Sequence, residues 1–280
     1  MIQDDLEVIV EARQRAANSA QYGSPEAKSG TFGELIYVKN YCERVLRDTQ
    51  AAYEPWAQWE AINDLLAVED NREALRSYHA LLSIRKSFFK EALVSAARAT
   101  DQVQSNRQEI LSAPAAGLQY SLLGLAKVLD DAALRQRLAS RQWALDLGYS
   151  PIRADGAAAD NAKRIDEFRA LVPVSWPGNP ANSQLFNLRG KLKPLRDNIL
   201  SHSIGDPRVL SQFTIDEVRE LLKLSLALAT DMQLVFSGSA VPAEAWKEHC
   251  REQADQFWPV AFEGAVKQHN KHQAARKAAE

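Results

Sequence analysis

Along almost the whole chain apolar residues return at steps of three and four, and no stretch alternates apolar and polar residues with period two. The first spacing lines one face of an α-helix, whereas the second is what a half-buried strand needs. Only 12 glycines and 11 prolines interrupt 280 residues. The chain therefore predicts an all-α fold, a helical bundle without a sheet. A chain of this length buries roughly three quarters of its unfolded surface, so a core needs neither disulfides nor a metal.

The breakers divide the pattern into segments. Leu6, Ile9, Val10 and the run Arg13 to Ala17 predict a first helix, stopped by the loop from Tyr22 to Pro25, and Gly30 to Gly33 is a second break. A stripe from Leu35 through Ile36, Val38, Val45 and Leu46 runs to Tyr53. There Pro55 should end or kink the helix, because it has no N–H to donate and crowds the preceding turn. Trp56 to Leu66 follows as a separate short segment, and Asp70-Asn71 opens a long helix, Glu73 to Asp101. Two helices, Leu118 to Leu129 and Ala132 to Leu147, precede a linker from Gly148 to Ala159. A helix from Asn161 to Leu171 ends at a turn cluster around Pro173 and Trp176 to Pro180, and another runs from Asn182 to Ser203. Thr214 with Glu217 has the spacing of a capping box, in which each residue's side chain serves the other's amide, and it opens a helix from Ile215 to Phe236. Gly238 and Pro242 separate a last helix, Ala243 to about Val266, and the polar tail after it is expected to fray.

Charge and cysteine content exclude several classes. Lys+Arg 34 against Asp+Glu 36 leaves a formal net charge of −2, so bulk coating of nucleic acid is ruled out and any nucleic-acid site must be local. Cys42 and Cys250 stand far apart outside any CxxC pair, which removes a disulfide scaffold and a thiolate zinc site and points to a reducing cytoplasm. Both are expected to be buried small hydrophobes. No run approaches the ~20 apolar residues of a membrane span. The phosphate-loop, dinucleotide, zinc-protease and nucleophile-elbow signatures are absent. His269 and His272 lack a third ligand and read as surface histidines, with no metal. The six tryptophans are scattered, as packing residues are, rather than ranked as a base-stacking platform.

One stretch does not read as plain core. Leu185, Leu188, Leu192, Leu195 and Ile199 follow steps of three and four, and the next member of that seam is His202. From Leu185 to Arg196 there are four basic residues, Arg189, Lys191, Lys193 and Arg196, and no acid. Such a run attracts phosphate. On a straight helix Arg196 and His202 would lie about 120° apart and about 9 Å apart along the axis, so they cannot make one compact site unaided. Either Arg98 and Asp101, three apart on a facing helix, or the same motif from a second subunit must complete it. Gly190 and Pro194 interrupt the helix, and a kink near Pro194 would turn Arg196 toward His202.

Arg196-Asp-Asn-Ile-Leu-Ser-His202, an arginine followed at once by a polar residue with histidine six positions on, resembles the hallmark of the HEPN superfamily of small helical bundles, many of them RNases. The extended form, Leu195 to Ser203, is similar to the AbiU-type branch, named from phage abortive infection. Members of that branch tend to carry Lys and Ala where this chain has Asn198 and Ser201. Arg98-Ala-Thr-Asp101 matches the Arg-x-x-Asp that the branch places on the facing helix, and Thr214 to Val218 matches its capped helix after the histidine. The resemblance divides the chain into an N-terminal accessory helix and loop, 1–32, a HEPN-like helical domain, 33–236, and a C-terminal helix and polar tail, 237–280.

The resemblance implies metal-independent RNA cleavage by a homodimer with a composite cleft, as a toxin or phage-defence effector. It needs no cofactor and works away from membranes, with RNA as substrate and an antitoxin or regulatory protein as a further partner. In that reading Arg196 and His202 are catalytic, Asp197 and Asn198 orient them, and Arg98, Asp101, Arg189 and Lys193 bind substrate. Two alternatives stand beside it: a non-catalytic HEPN-like module that binds RNA or a protein, and a helical scaffold in which Arg196 and His202 serve a hydrogen-bond network.

Overall fold

A computed structural model describes residues 32–68, 79–101, 120–172, 185, 187–192 and 214–278. Among them every regular element is helical, as the periodicity requires. In chain order the helices with defined ends are α1 Phe32–Ala67, α2 His79–Thr100, α3 Leu122–Val128, α4 Ala132–Leu138, α5 Arg141–Asp146, α6 Ala154–Leu171, α7 Ile215–Ser237 and α8 Ala243–Lys277. None of them is long and apolar enough to cross a membrane.

The chain forms two compact units. The first comprises Met1–Leu46, Thr100–Asn187 and Leu228–Ala240. Here α6 packs against α4 and α5. Its core is apolar: Leu125, Leu129, Leu134, Leu138, Ile165 and Phe168 are all buried. Polar side chains then fix the ends of these short helices. Asn161 Nδ2 donates to the Leu138 carbonyl at 3.1 Å and Trp143 Nε1 to the Val235 carbonyl at 2.8 Å.

The second unit comprises Arg47–Ala99, Leu188–Ala227 and Val241–Glu280. Ala61 and Ile62 of α1 meet Ala254, Trp258 and Phe262 of α8, with Leu81 and Phe88 of α2 packed against them. Trp56 and Trp59 stack at 4.8 Å between ring centroids, and Trp59 lies 5.2 Å from Phe89. Two arginines tie the rim: Arg219 to Glu60 at 2.8 Å and Arg251 to Asp64 at 2.7 Å.

Several boundaries differ from expectation, each for a local reason. α1 runs through Pro55 to Ala67, so Trp56 to Leu66 is its continuation rather than a separate segment. The carbonyl that Pro55 cannot serve belongs to Ala51, an exposed residue, while Ala52, Tyr53, Trp56 and Ala57 are buried on either side. Packing of both halves outweighs the roughly 3 kcal/mol that a proline costs in a helix interior. The helix expected over Ala132 to Leu147 is two, because the Ser140 hydroxyl accepts from the Trp143 amide at 3.1 Å and starts α5 afresh. The stretch 148–159 is only half linker: Gly148, at φ 89°, stops α5, but the alanine-rich run from Ala154 already belongs to α6. α8 does not fray after Val266 but continues to Lys277. Residues 267–277 are mainly good helix formers with no glycine or proline, and their basic side chains suit the negative end of the helix dipole.

Candidate functional site

The seam that leads toward the motif is buried as its spacing demands: Leu185, Leu188 and Leu192 all lie inside. The chain is helical at 185 and over 187–192, so Gly190 does not interrupt the helix. Its Cα faces open space, and a methyl placed on it would meet nothing within 4 Å. An exposed glycine costs a helix only about 1 kcal/mol, and the leucines on either side hold it. Pro194, Leu195 and Ile199 lie outside the described residues, as do Lys193, Arg196, Asp197, Asn198 and His202.

Of the basic run, Arg189 is half-buried and Lys191 exposed. Lys191 Nζ donates to Glu217 Oε1 in an ion pair. The other Glu217 oxygen accepts from the Thr214 amide at 2.8 Å, and Thr214 Oγ1 accepts from the Glu217 amide at 3.2 Å, which completes the capping box. The Lys191 hydrogen bond, followed by that of the Thr214 amide, holds the Glu217 carboxyl below its ordinary range. One residue thus caps α7 and joins the two ends of the stretch 193–213 that carries Arg196 and His202. Glu217 was legible as a cap, but not as the partner of Lys191, because the acid stands 26 residues from the lysine.

The sign of the pH dependence follows from the depressed carboxyl. What Glu217 contributes is fully present above the pKa of an unfolded glutamate and is lost as pH falls through its lower folded value. Thr214→Ala should cost about 1 kcal/mol by removing the cap. Glu217→Gln should flatten the acid limb of a stability-against-pH curve measured by denaturant unfolding. An unchanged acid limb would remove Glu217 from this role.

The facing-helix candidates sit together at one helix end. Arg98 is exposed in the last turn of α2, where a cation complements the helix dipole, and half-buried Asp101 directly follows Thr100, the last helical residue. How these two meet Arg196 and His202 falls outside the described residues.

The remaining chemical candidates resolve as packing groups. Cys42 and Cys250 are buried and free. Burial pushes the Cys42 thiol far above its ordinary value and, with Glu54 nearby, raises Cys250 to about 11. A protonated, enclosed thiol is a poor nucleophile. Both should resist a thiol reagent in the native protein and react on unfolding; rapid native labelling of either would contradict their burial. Trp56, Trp59, Trp143 and Trp258 are all buried, as packing residues are. Among the described residues no group of three or more His, Cys, Asp or Glu is placed to hold a metal. An unforeseen feature is a cleft of about 320 Å³ beside α6 in the first unit, lined by Tyr149, Arg153, Asp160, Arg164 and Leu234 among others. Arg164 there pairs with Asp231 at 2.7 Å. Sequence alone conceals this cleft, because Pro151 and Gly156 make its near wall look like linker.

The helices, the leucine seam and the capped helix that follows it define an all-α protein among the described residues. A family model described as AbiU2, of the HEPN domains, matches residues 38–257. The chain belongs to the AbiU2 family of HEPN domains. No curated protein and no solved structure matches it.

Proposed function

We propose that the protein is a metal-independent endoribonuclease of the HEPN type, acting as a toxin or phage-defence effector in the cytoplasm. The observation that carries this reading is the family match over 38–257, which spans Arg196-Asp-Asn-Ile-Leu-Ser-His202. RNA supplies its own nucleophile. The 2′-OH attacks the adjacent phosphorus, the bond to the 5′-oxygen breaks, and the products are a 2′,3′-cyclic phosphate and a free 5′-hydroxyl.

The protein must then stabilise charge on the phosphorane and move protons. The planar guanidinium of Arg196 binds two non-bridging oxygens at once, His202 protonates the departing 5′-oxygen, and the proton given up by the 2′-OH passes to solvent water. Asp197 and Asn198 orient this pair. Arg98, Asp101, Arg189 and Lys193 hold the flanking strand, and a second subunit's motif about a two-fold axis completes the cleft. An antitoxin or regulatory protein would act by covering it.

A second reading, a non-catalytic HEPN module that binds RNA or a protein, draws on one observation: Glu217 already neutralises Lys191 in the basic run. Cleavage of a mixed RNA by purified protein in EDTA, compared with His202→Ala, separates the two. Cleavage that survives the substitution, or no cleavage by the wild type, defeats the catalytic reading.

A further inference from the structure

The cleft beside α6 holds polar groups that RNA cleavage does not use. One face of α6 lines it with Arg153, Gly156, Asp160 and Asn161, and Tyr149 and Leu234 complete the wall. Its volume, about 320 Å³, lies at the small end for a ligand pocket and suits one small molecule.

The two ends of the cleft differ in character. Asn161 is 5% exposed. Its Nδ2 is committed to the Leu138 carbonyl at 3.1 Å, whereas its Oδ1 accepts nothing among the described residues. A nearly buried acceptor left open costs free energy until something donates to it. Beside it the exposed Asp160 carboxylate also has no partner among the described residues. Arg164, one turn on, does not answer it, because that guanidinium is held by Asp231 at 2.7 Å. This end therefore offers two open acceptors. At the other end no side chain caps α6, and the amides of Asp155 and Gly156 have no acceptor among the described residues. Such amides, with the helix dipole behind them, favour an anion. Asp155 itself is drawn to Arg141 at 3.2 Å. Arg153, exposed and without an ion pair among the described residues, adds positive charge there, and nothing lies within 4 Å of a methyl placed on Gly156.

Arg153 and Asp160 are seven residues apart, two turns along one face, which separates them by about 10 Å along the axis. That is the reach of one nucleotide from its phosphate to the pairing edge of its base. The Tyr149 ring, held by donation from its hydroxyl to the Gly238 carbonyl at 3.3 Å, and Leu234 give the base an apolar wall. Guanine matches the acceptor end best, because its pairing edge presents the N1 proton and the N2 amino group together, a fork that fits a carboxylate and leaves a hydrogen for Asn161. We infer that this cleft binds a guanine nucleotide, with its phosphate at the start of α6 beside Arg153 and its N1–H and N2 amino group on Asp160 and Asn161. The site stands whether or not the protein cleaves RNA.

Calorimetric titration of the full chain with GMP should show one site per chain. AMP should bind at least about 10-fold more weakly, because its pairing edge turns an acceptor toward Asp160. Arg153→Glu should weaken GMP at least about 10-fold and leave guanosine, which has no phosphate, unchanged. Asp160→Asn should remove the preference for GMP over AMP. Helical circular dichroism should not change, since both side chains are exposed and without partners among the described residues. The same nucleotide can come free or within an RNA strand: an oligoribonucleotide whose binding falls with Asp160→Asn makes the strand the source, and one whose binding does not makes it the free nucleotide. No binding of GMP at millimolar concentration overturns the proposal, as does equal binding of AMP. So does GMP binding that survives Arg153→Glu and Asp160→Asn but is lost in Arg196→Ala, since the nucleotide then sits at the RNase motif.

Discussion

Arg196→Ala and His202→Ala should each lower RNA cleavage by about 10² to 10³, the usual cost of losing one group that stabilises charge in the transition state. Arg196→Lys should fail as well, because an ammonium cannot reproduce the bidentate fork. The informative contrast is with stability. If the two residues face substrate, their removal empties no packed space, and thermal unfolding should barely move. If His202 instead continues the seam of Leu185, Leu188 and Leu192 inward as a buried imidazole in a polar network, its truncation leaves partners unsatisfied and costs about 1 to 3 kcal/mol. Cleavage assays and melting curves on the same four proteins separate these cases. A wild type that cuts nothing, with His202→Ala melting several degrees lower, would leave a scaffold and no enzyme.

The family was legible because the signal that carries the resemblance is local: an arginine, a polar neighbour and a histidine at fixed spacing, following a leucine seam. Thr214 and Glu217 were legible for the same reason, and both predicted hydrogen bonds form. What the sequence hid depends on contacts between distant residues or on competition between nearly balanced terms. Pro55 is a strong local stop, yet burial on both sides of it carries α1 through. Ser140 sits in a good helical pattern, yet its hydroxyl serves the Trp143 amide better than a continuous helix would. Lys191 reads as free positive charge until the fold brings Glu217 beside it. The inward face of α8 was hidden because Phe257 and Val260 lie beside Trp258 and Phe262 in sequence, and only the fold shows which pair faces inward.

The same adjacency makes the largest stability effect predictable. Trp258 is 4% exposed. Its ring meets Phe88 edge-on at 6.0 Å and Phe262 at 6.2 Å, and its Nε1 donates to Gln58 Oε1 at 2.6 Å. This one side chain therefore joins α1, α2 and α8 in the second unit. Trp258→Ala removes the buried ring and leaves a cavity between three helices too constrained to close, which should cost about 3 to 5 kcal/mol. Trp258→Phe keeps most of the packing but orphans the Gln58 oxygen, for a loss nearer about 1 kcal/mol. Gln256→Ala, at an exposed position two residues away on the same helix, should stay within about 0.5 kcal/mol of wild type. Denaturant unfolding followed by circular dichroism measures all three. The ordering, more than any single value, tests the core: if Trp258→Ala costs no more than Gln256→Ala, the Trp258 ring does not hold these helices together.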